Sequence, residues 1–400
     1  MLKEQKTMEL KLLIDNMIKD LKISEVLNSI KEKTIEISIK TEKGIFSAAA
    51  PSGSSEGEYE AKTLDNETII KDFPEMKKNF IGKNEKNVDK IIYKIGIEKM
   101  GANLSLVLSV AALRALSKND VYKFLNKGAH IFPYPLGNVI GGGVHKGYTS
   151  IQEFLVLPVK AKNMKEAIKT NQSIWKDVGK FIELRGILLG NNYEGAWMCK
   201  LDDIKTLDLL SHIAENYGAR IGIDVAAYEI YKKGKYHYKS SHKILSPEKQ
   251  LEFVLDLIKT YRLFYVEDPF HEDDFKHFSE LTEKARCLIV GDDIFATDAK
   301  RLEIGMKKKA GNGIIIKPDQ VGSVSRTLET IKTAKRAGYK TIVSHRSRDT
   351  TDSFIADLAV GTESPIIKCG IHGKERTAKL KRLEEVWNKV KKPEMAKLNL

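Results

Sequence analysis

Six short apolar runs between residues 220 and 370 each end in an ionisable side chain: RIGID at Asp224, LFYVED at Glu267, CLIVGDD at Asp292, GIIIKP at Lys317, TIVSH at His345 and IIK at Lys368. A helix-patterned stretch follows each run. Continuous apolar runs bounded by charge and turn residues are the pattern of strands buried on both faces. Their alternation with helices points to a (β/α) barrel, which gathers the ends of its strands at one face. Three carboxylates, two lysines and a histidine are therefore expected to share one site. Such a set indicates an enzyme, and hard carboxylate oxygens indicate a divalent metal.

Composition narrows the remaining choices. Four hundred residues, 42% of them apolar, allow two domains or one barrel with an appendage. No run of apolar residues reaches membrane-spanning length, and the charged N-terminus lacks the apolar core of a signal peptide. In residues 1–24, Leu10, Leu13, Ile14, Met17, Ile18 and Leu21 recur at helical spacing, which predicts an amphipathic helical extension. Cys199, Cys287 and Cys369 are far apart, so neither a disulfide framework nor a zinc site is expected, and a cytoplasmic setting fits. The net charge of +13 comes from scattered lysines. The densest cluster, near the C-terminus, interleaves glutamates at helical spacing, so a solvated helix face is expected and no nucleic-acid partner.

Residues 25–127 read as a small α+β domain. TIEISIK (34–40), the turn TEKG and IFSAAAP form a hairpin, and helical patterns follow at about 86–98 and 103–117. PSGSSEGE (51–58) is a Gly/Ser-rich loop, read as a lid or linker. The Pro/Gly-rich segment FPYPLGNVIGGG (132–143) marks the crossing into a barrel spanning 128–400.

Eight separated motifs then carry a resemblance to the enolase (phosphopyruvate hydratase) family, as a divergent archaeal-type member. They are TEKGIFSAAAPSGSSEG, FPYPLGNVIGGGVHKGYTSIQEFLVLPV, IGIDVAAYEIY, VEDPFHEDD, VGDDIFATDAKR, IIKPDQVGS, SHRSRDTTDSFIADLAVG and IKCG…KER-AKL. Glu267 to Asp292 is 25 residues, Asp292 to Lys317 another 25, Lys317 to His345 28, and His345 to Lys368 23, a register similar to the family's. The resemblance implies an α/β fold, with a small N-terminal α+β domain followed by an enolase-type modified TIM (β/α)8 barrel. It also implies a carbon–oxygen lyase that reversibly dehydrates 2-phosphoglycerate to phosphoenolpyruvate in glycolysis and gluconeogenesis. Mg²⁺ is the implied cofactor, and a homodimer or a dimer-based octamer the implied assembly.

Carried over residue by residue, the resemblance makes Asp224, Glu267 and Asp292 metal ligands, with Ser55 reaching a second Mg²⁺. Lys317 becomes the general base, whose ammonium must be depressed to act, and Glu194 the acid on the leaving hydroxyl, supported by Glu153. His145, Gln152, His345, Arg346, Ser347 and Lys368 become substrate-binding residues. Several motifs depart from the family's. DSRGNPT is here NSIKEKT (28–34), PSGAST is PSGSSE with Glu56 beside Ser55, HAGN is HKGY, and DEGGF is Tyr193-Glu194-Gly195-Ala196-Trp197. The segment leading to Glu153 is also one residue shorter. These changes touch the lid and the pocket wall. They leave open an alternative: an enolase-like paralogue with another substrate, or with a non-catalytic binding or regulatory role.

Overall fold

A computed structural model describes residues 17–53, 57–143 and 147–398 of the chain. The first sheet holds β1 (Asp20–Leu27), β2 (Lys33–Thr41) and β3 (Gly44–Ala49), antiparallel and in that order. In β2 the alternation predicted from TIEISIK is met: Ile35, Ile37 and Ile39 are buried. They pack on the helix Ala102–Ser117, which is apolar and buried almost all round.

The N-terminal helix expected over residues 1–24 does not hold where the structure describes it. Met17 bridges to Asn84, and Asp20–Leu27 pairs along its whole length with β2. Ile18 and Leu21, three apart, suggested a helix face. Their burial beside the edge of the sheet overrides that local spacing. The turn that follows lies in the segment that departs from the family motif. There the Asn28 side chain accepts hydrogen bonds from the amides of Ile30 and Glu32, which folds NSIKE back on itself.

The second unit contains β4 (Tyr134–Gly141), β5 (Glu153–Leu157), β6 (Leu188–Asn191), β7 (Trp197–Cys199), β8 (Arg220–Asp224), β9 (Tyr265–Glu267), β10 (Leu288–Gly291), β11 (Gly313–Ile316), β12 (Lys340–Ser344) and β13 (Ile366–Lys368). Eight of these close a barrel in the order β4-β5-β8-β9-β10-β11-β12-β13, and β13 pairs back onto β4. Only β5 runs against its neighbours; the other contacts are parallel. β6 and β7 form a hairpin attached to β4 at Ile140 and Trp197. The barrel interior is filled by Leu136, Leu155, Tyr265, Val290, Ile315 and Ile342, so the lumen is a core and polar chemistry is confined to the rim.

Helices start where polar caps allow. Asn163, Asp202, Ser246, Asp298 and Ser323 each accept an amide hydrogen bond from the first turn of the helix they precede. Among the described residues no helix is long and apolar enough to cross a membrane.

Several contacts seat the small unit on the barrel, among them an ion pair and a backbone bridge. Arg114 forks onto Asp352 at 2.6 and 2.7 Å. Ser52 and Arg348 exchange backbone hydrogen bonds at 3.1 and 3.0 Å, so the base of the Gly/Ser-rich loop is pinned beside the barrel rim.

Candidate active site

Strand register builds the rim. Glu153 pairs with Asp224, Asp224 with Glu267, and Ser344 with Lys368. Neighbouring strands are about 4.8 Å apart, so Glu153, Asp224 and Glu267 stand side by side. The Lys368 ammonium reaches them from β13, 3.0 Å from Asp224 Oδ2 and 2.9 Å from both oxygens of Glu267. It also lies 3.2 Å from Glu153 Oε2, but outside hydrogen-bonding direction, so that oxygen has no hydrogen bond among the described residues. Burial favours a neutral Lys368; Asp224, Glu153 and Glu267 outweigh it and raise the ammonium well above its usual value. Burial, then the charge of Asp224, pushes Glu267 up to about 8. The Tyr265 hydroxyl donates to Glu267 from below, at 2.5 Å.

Lys317, directly after β11, forms a close ion pair with Asp292 Oδ2, and Gln320 Nε2 donates to Asp292 Oδ1 at 3.1 Å. The protein's own groups act on this lysine in both directions. Burial pulls the Lys317 ammonium down, but Asp292 outweighs burial and the more distant Arg346 and Lys368, and the net direction is upward. Asp292 is itself held by a neighbour to which the sequence reading gave no role. Asp268, with a positive φ of 38°, accepts the amides of Asp292 and Asp293 at 2.8 and 2.7 Å. One oxygen from each of Asp268, Asp292 and Asp293 lies within 4.8 Å of the others. Backbone strain of this kind persists where surrounding bonds over-determine it.

Glu194 sits in the turn between β6 and β7, buried. Asn138 Nδ2 donates to its Oε2 at 3.0 Å, and His345 Nε2 lies 4.0 Å from the same oxygen. Burial, then the charge of Glu194, raises Glu153 well above the usual carboxyl value, which favours its protonated form. His345 is buried, and neither ring nitrogen has a hydrogen-bond partner among the described residues. Burial, then the charge of Arg376, holds it well below its usual value and therefore neutral. Arg346 Nη1 lies 2.8 Å from Glu60 and 2.8 Å from Asp319.

One cavity is lined by Gln152, Glu153, Glu194, Asp224, Asp292, Lys317, His345, Arg346, Ser347 and Lys368, joined by Glu60, Asp268 and Asp293. Glu267 lies beneath it, in contact with Lys368. Ser55, Glu56 and His145 fall outside the described residues. The donor set suits a hard divalent cation, because buried carboxylates converge here and draw two lysine ammoniums into their midst.

The sequence reading gave no role to Asn138, Glu60, Asp319, Gln320 or Arg376. Asn138, Asp319, Gln320 and Arg376 belong to motifs already noted, PLGN, KPDQ and KER, and that placement was a usable signal. Glu60, just beyond the loop, carries none.

A closed barrel with a charge-lined cavity at its rim, capped by a three-stranded antiparallel unit, defines a class of two-domain barrel enzymes. Residues 129–394 match the family described as Enolase, C-terminal TIM barrel domain. Proteins named enolase are similar along nearly the whole chain. The one from Natronomonas pharaonis is 38% identical over 391 residues, covering 92% of this chain and 98% of its own. The one from Archaeoglobus fulgidus is 36% identical over 396 residues, covering 94% and 99%. The one from Methanosphaera stadtmanae is 36% identical over 414 residues, covering 96% and 100%. The chain belongs to the enolase family.

Proposed function

We propose that this chain reversibly dehydrates 2-phosphoglycerate to phosphoenolpyruvate, the step shared by glycolysis and gluconeogenesis. The observation that carries the reading is the placement of a lysine, Lys317, and a carboxyl group, Glu194, on separate elements facing one cavity. That arrangement suits removal of a proton from one carbon and delivery of a proton to a hydroxyl on the next.

Lys317 Nζ takes the proton from the carbon beside the substrate carboxylate, and the bonding pair moves into that carboxylate. Glu194 then protonates the departing hydroxyl, which leaves as water as the carbon–carbon double bond forms. Asn138 fixes the Glu194 carboxyl, and Glu153 holds the neighbouring proton. Lys368 stands ready to meet the substrate carboxylate, while Arg346 and Ser347 meet the phosphate. Mg²⁺, held by Asp224, Glu267 and Asp292, would supply positive charge to a carboxylate gaining electron density. Lys317 accepts a proton only when neutral, so its pairing with Asp292 must loosen in the reacting complex.

One observation favours the second reading, a paralogue with another ligand: the Arg346 fork already holds Glu60 and Asp319. A single assay separates the two. Purified protein with Mg²⁺ and 2-phosphoglycerate should show rising ultraviolet absorbance as phosphoenolpyruvate forms. A chelator should stop it, and Lys317→Ala should lower kcat by about 10²–10⁴-fold. Intact Mg²⁺ binding without turnover would favour the paralogue.

A further inference from the structure

The motif KER-AKL, on the last long helix (Lys374–Lys389), has no role in the chemistry above. Its Arg376 is 1% exposed and lies behind the cavity. The guanidinium donates to three backbone carbonyls from two separate segments. Nη1 meets Arg346 O at 2.9 Å; Nη2 meets Ser347 O at 2.6 Å and Tyr193 O at 3.1 Å. Asp349 Oδ2, at 3.5 Å, balances its charge.

Those carbonyls belong to the proposed phosphate pair and to the residue immediately before the proposed acid. The packing around the side chain points the same way. Gly370 has a φ of +71°, and a Cβ there would sit 3.0 Å from Arg376 Cγ and 3.4 Å from the Glu194 carbonyl oxygen. The stem of Arg376 and the backbone of Glu194 thus approach each other closely across a glycine.

We propose that Arg376 is a positioning residue that sets the spacing between the acid Glu194 and the anion-binding pair Arg346–Ser347. This rests on the dehydration reading. The physical ground is the fork: a planar guanidinium spans carbonyls on two segments at once, whereas an ammonium is a single point with three donors. Replacing it leaves buried carbonyls without donors and frees the two segments to drift apart. A misplacement of about 1 Å costs catalysis about 100-fold.

The test compares wild type, Arg376→Lys and Arg376→Ala, assayed at low temperature with 2-phosphoglycerate and Mg²⁺, with circular dichroism to report the folded fraction. The expected result is a fall in kcat/KM of about 100-fold in both variants. It should be divided between a lower kcat from the acid and a higher KM from the phosphate pair. Guanidinium chloride below denaturing concentration should partly restore Arg376→Ala and leave wild type unchanged. Wild-type kcat and KM in folded Arg376→Lys would overturn the inference, as would losses that only track the unfolded fraction. A wild type that does not turn over 2-phosphoglycerate would overturn the functional reading, and this inference with it.

Discussion

Single buried charges show how finely this rim is balanced. Glu272 is 1% exposed, and neither carboxylate oxygen has a hydrogen bond among the described residues. Burial, then Asp273, pushes it up to about 7. An unfolded glutamate titrates near 4.3, so the folded state binds this proton more tightly. Stability contributed by the protonated form is therefore present at acid pH and is lost as pH rises toward and through about 7. Glu272→Gln removes the titration. In thermal melts it should gain on wild type at about pH 8 and lose that advantage at about pH 5; an equal difference at both would contradict the assignment. At this scale the sequence was most legible where a charge closes an apolar run. Asp224, Asp292, Lys317, His345 and Lys368 line one cavity, as their positions at strand ends required. Their partners were less legible, because Glu60 lies 286 residues before Arg346 and reaches it only through the fold. The pairing of Lys317 with Asp292 was not legible for the same reason, since sequence spacing does not report the distance between them.

Elements were easier to read than their junctions. Long periodic stretches became helices close to where expected: the pattern at about 103–117 is the helix Ala102–Ser117, and that at about 86–98 is covered by Val88–Ile95 and Ile97–Met100. β1 was missed because an edge strand takes its structure from its neighbour, and that pairing overrides the helical spacing of Ile18 and Leu21. The ion pair between the helix Ala102–Ser117 and the barrel loop at Asp352 is likewise invisible in sequence. Burial alone would raise the Asp352 carboxyl; Arg114 outweighs it and holds the group below its usual 3.8. A depressed carboxyl contributes stability above its unfolded value and loses it as pH falls through the folded one. Arg114→Ala leaves Asp352 buried and unpaired and should cost about 3–5 kcal/mol in urea unfolding at neutral pH. The gap from wild type should narrow once pH drops below about 4. A gap independent of pH would show that the loss is one of packing alone.

Across the whole molecule, the barrel supplies a rim and the small unit closes over it. The contacts at Ser52, Glu60 and Ser29 all fall on the segment 346–349. In the segment NSIKEKT, which differs from the family motif, Ser29 donates from its hydroxyl to the Ser347 carbonyl and from its amide to the Asp349 carbonyl. The proposed dehydration rests on a division of labour, with Lys317 moving the carbon-bound proton and Glu194 serving only the leaving hydroxyl. The most direct measurement is exchange of the proton at carbon 2 of 2-phosphoglycerate in heavy water with Mg²⁺, followed by NMR. Wild type should exchange it, and Glu194→Gln should still exchange it while forming little phosphoenolpyruvate; Lys317→Ala should do neither. Exchange that survives in Lys317→Ala, or disappears in Glu194→Gln, would contradict the account.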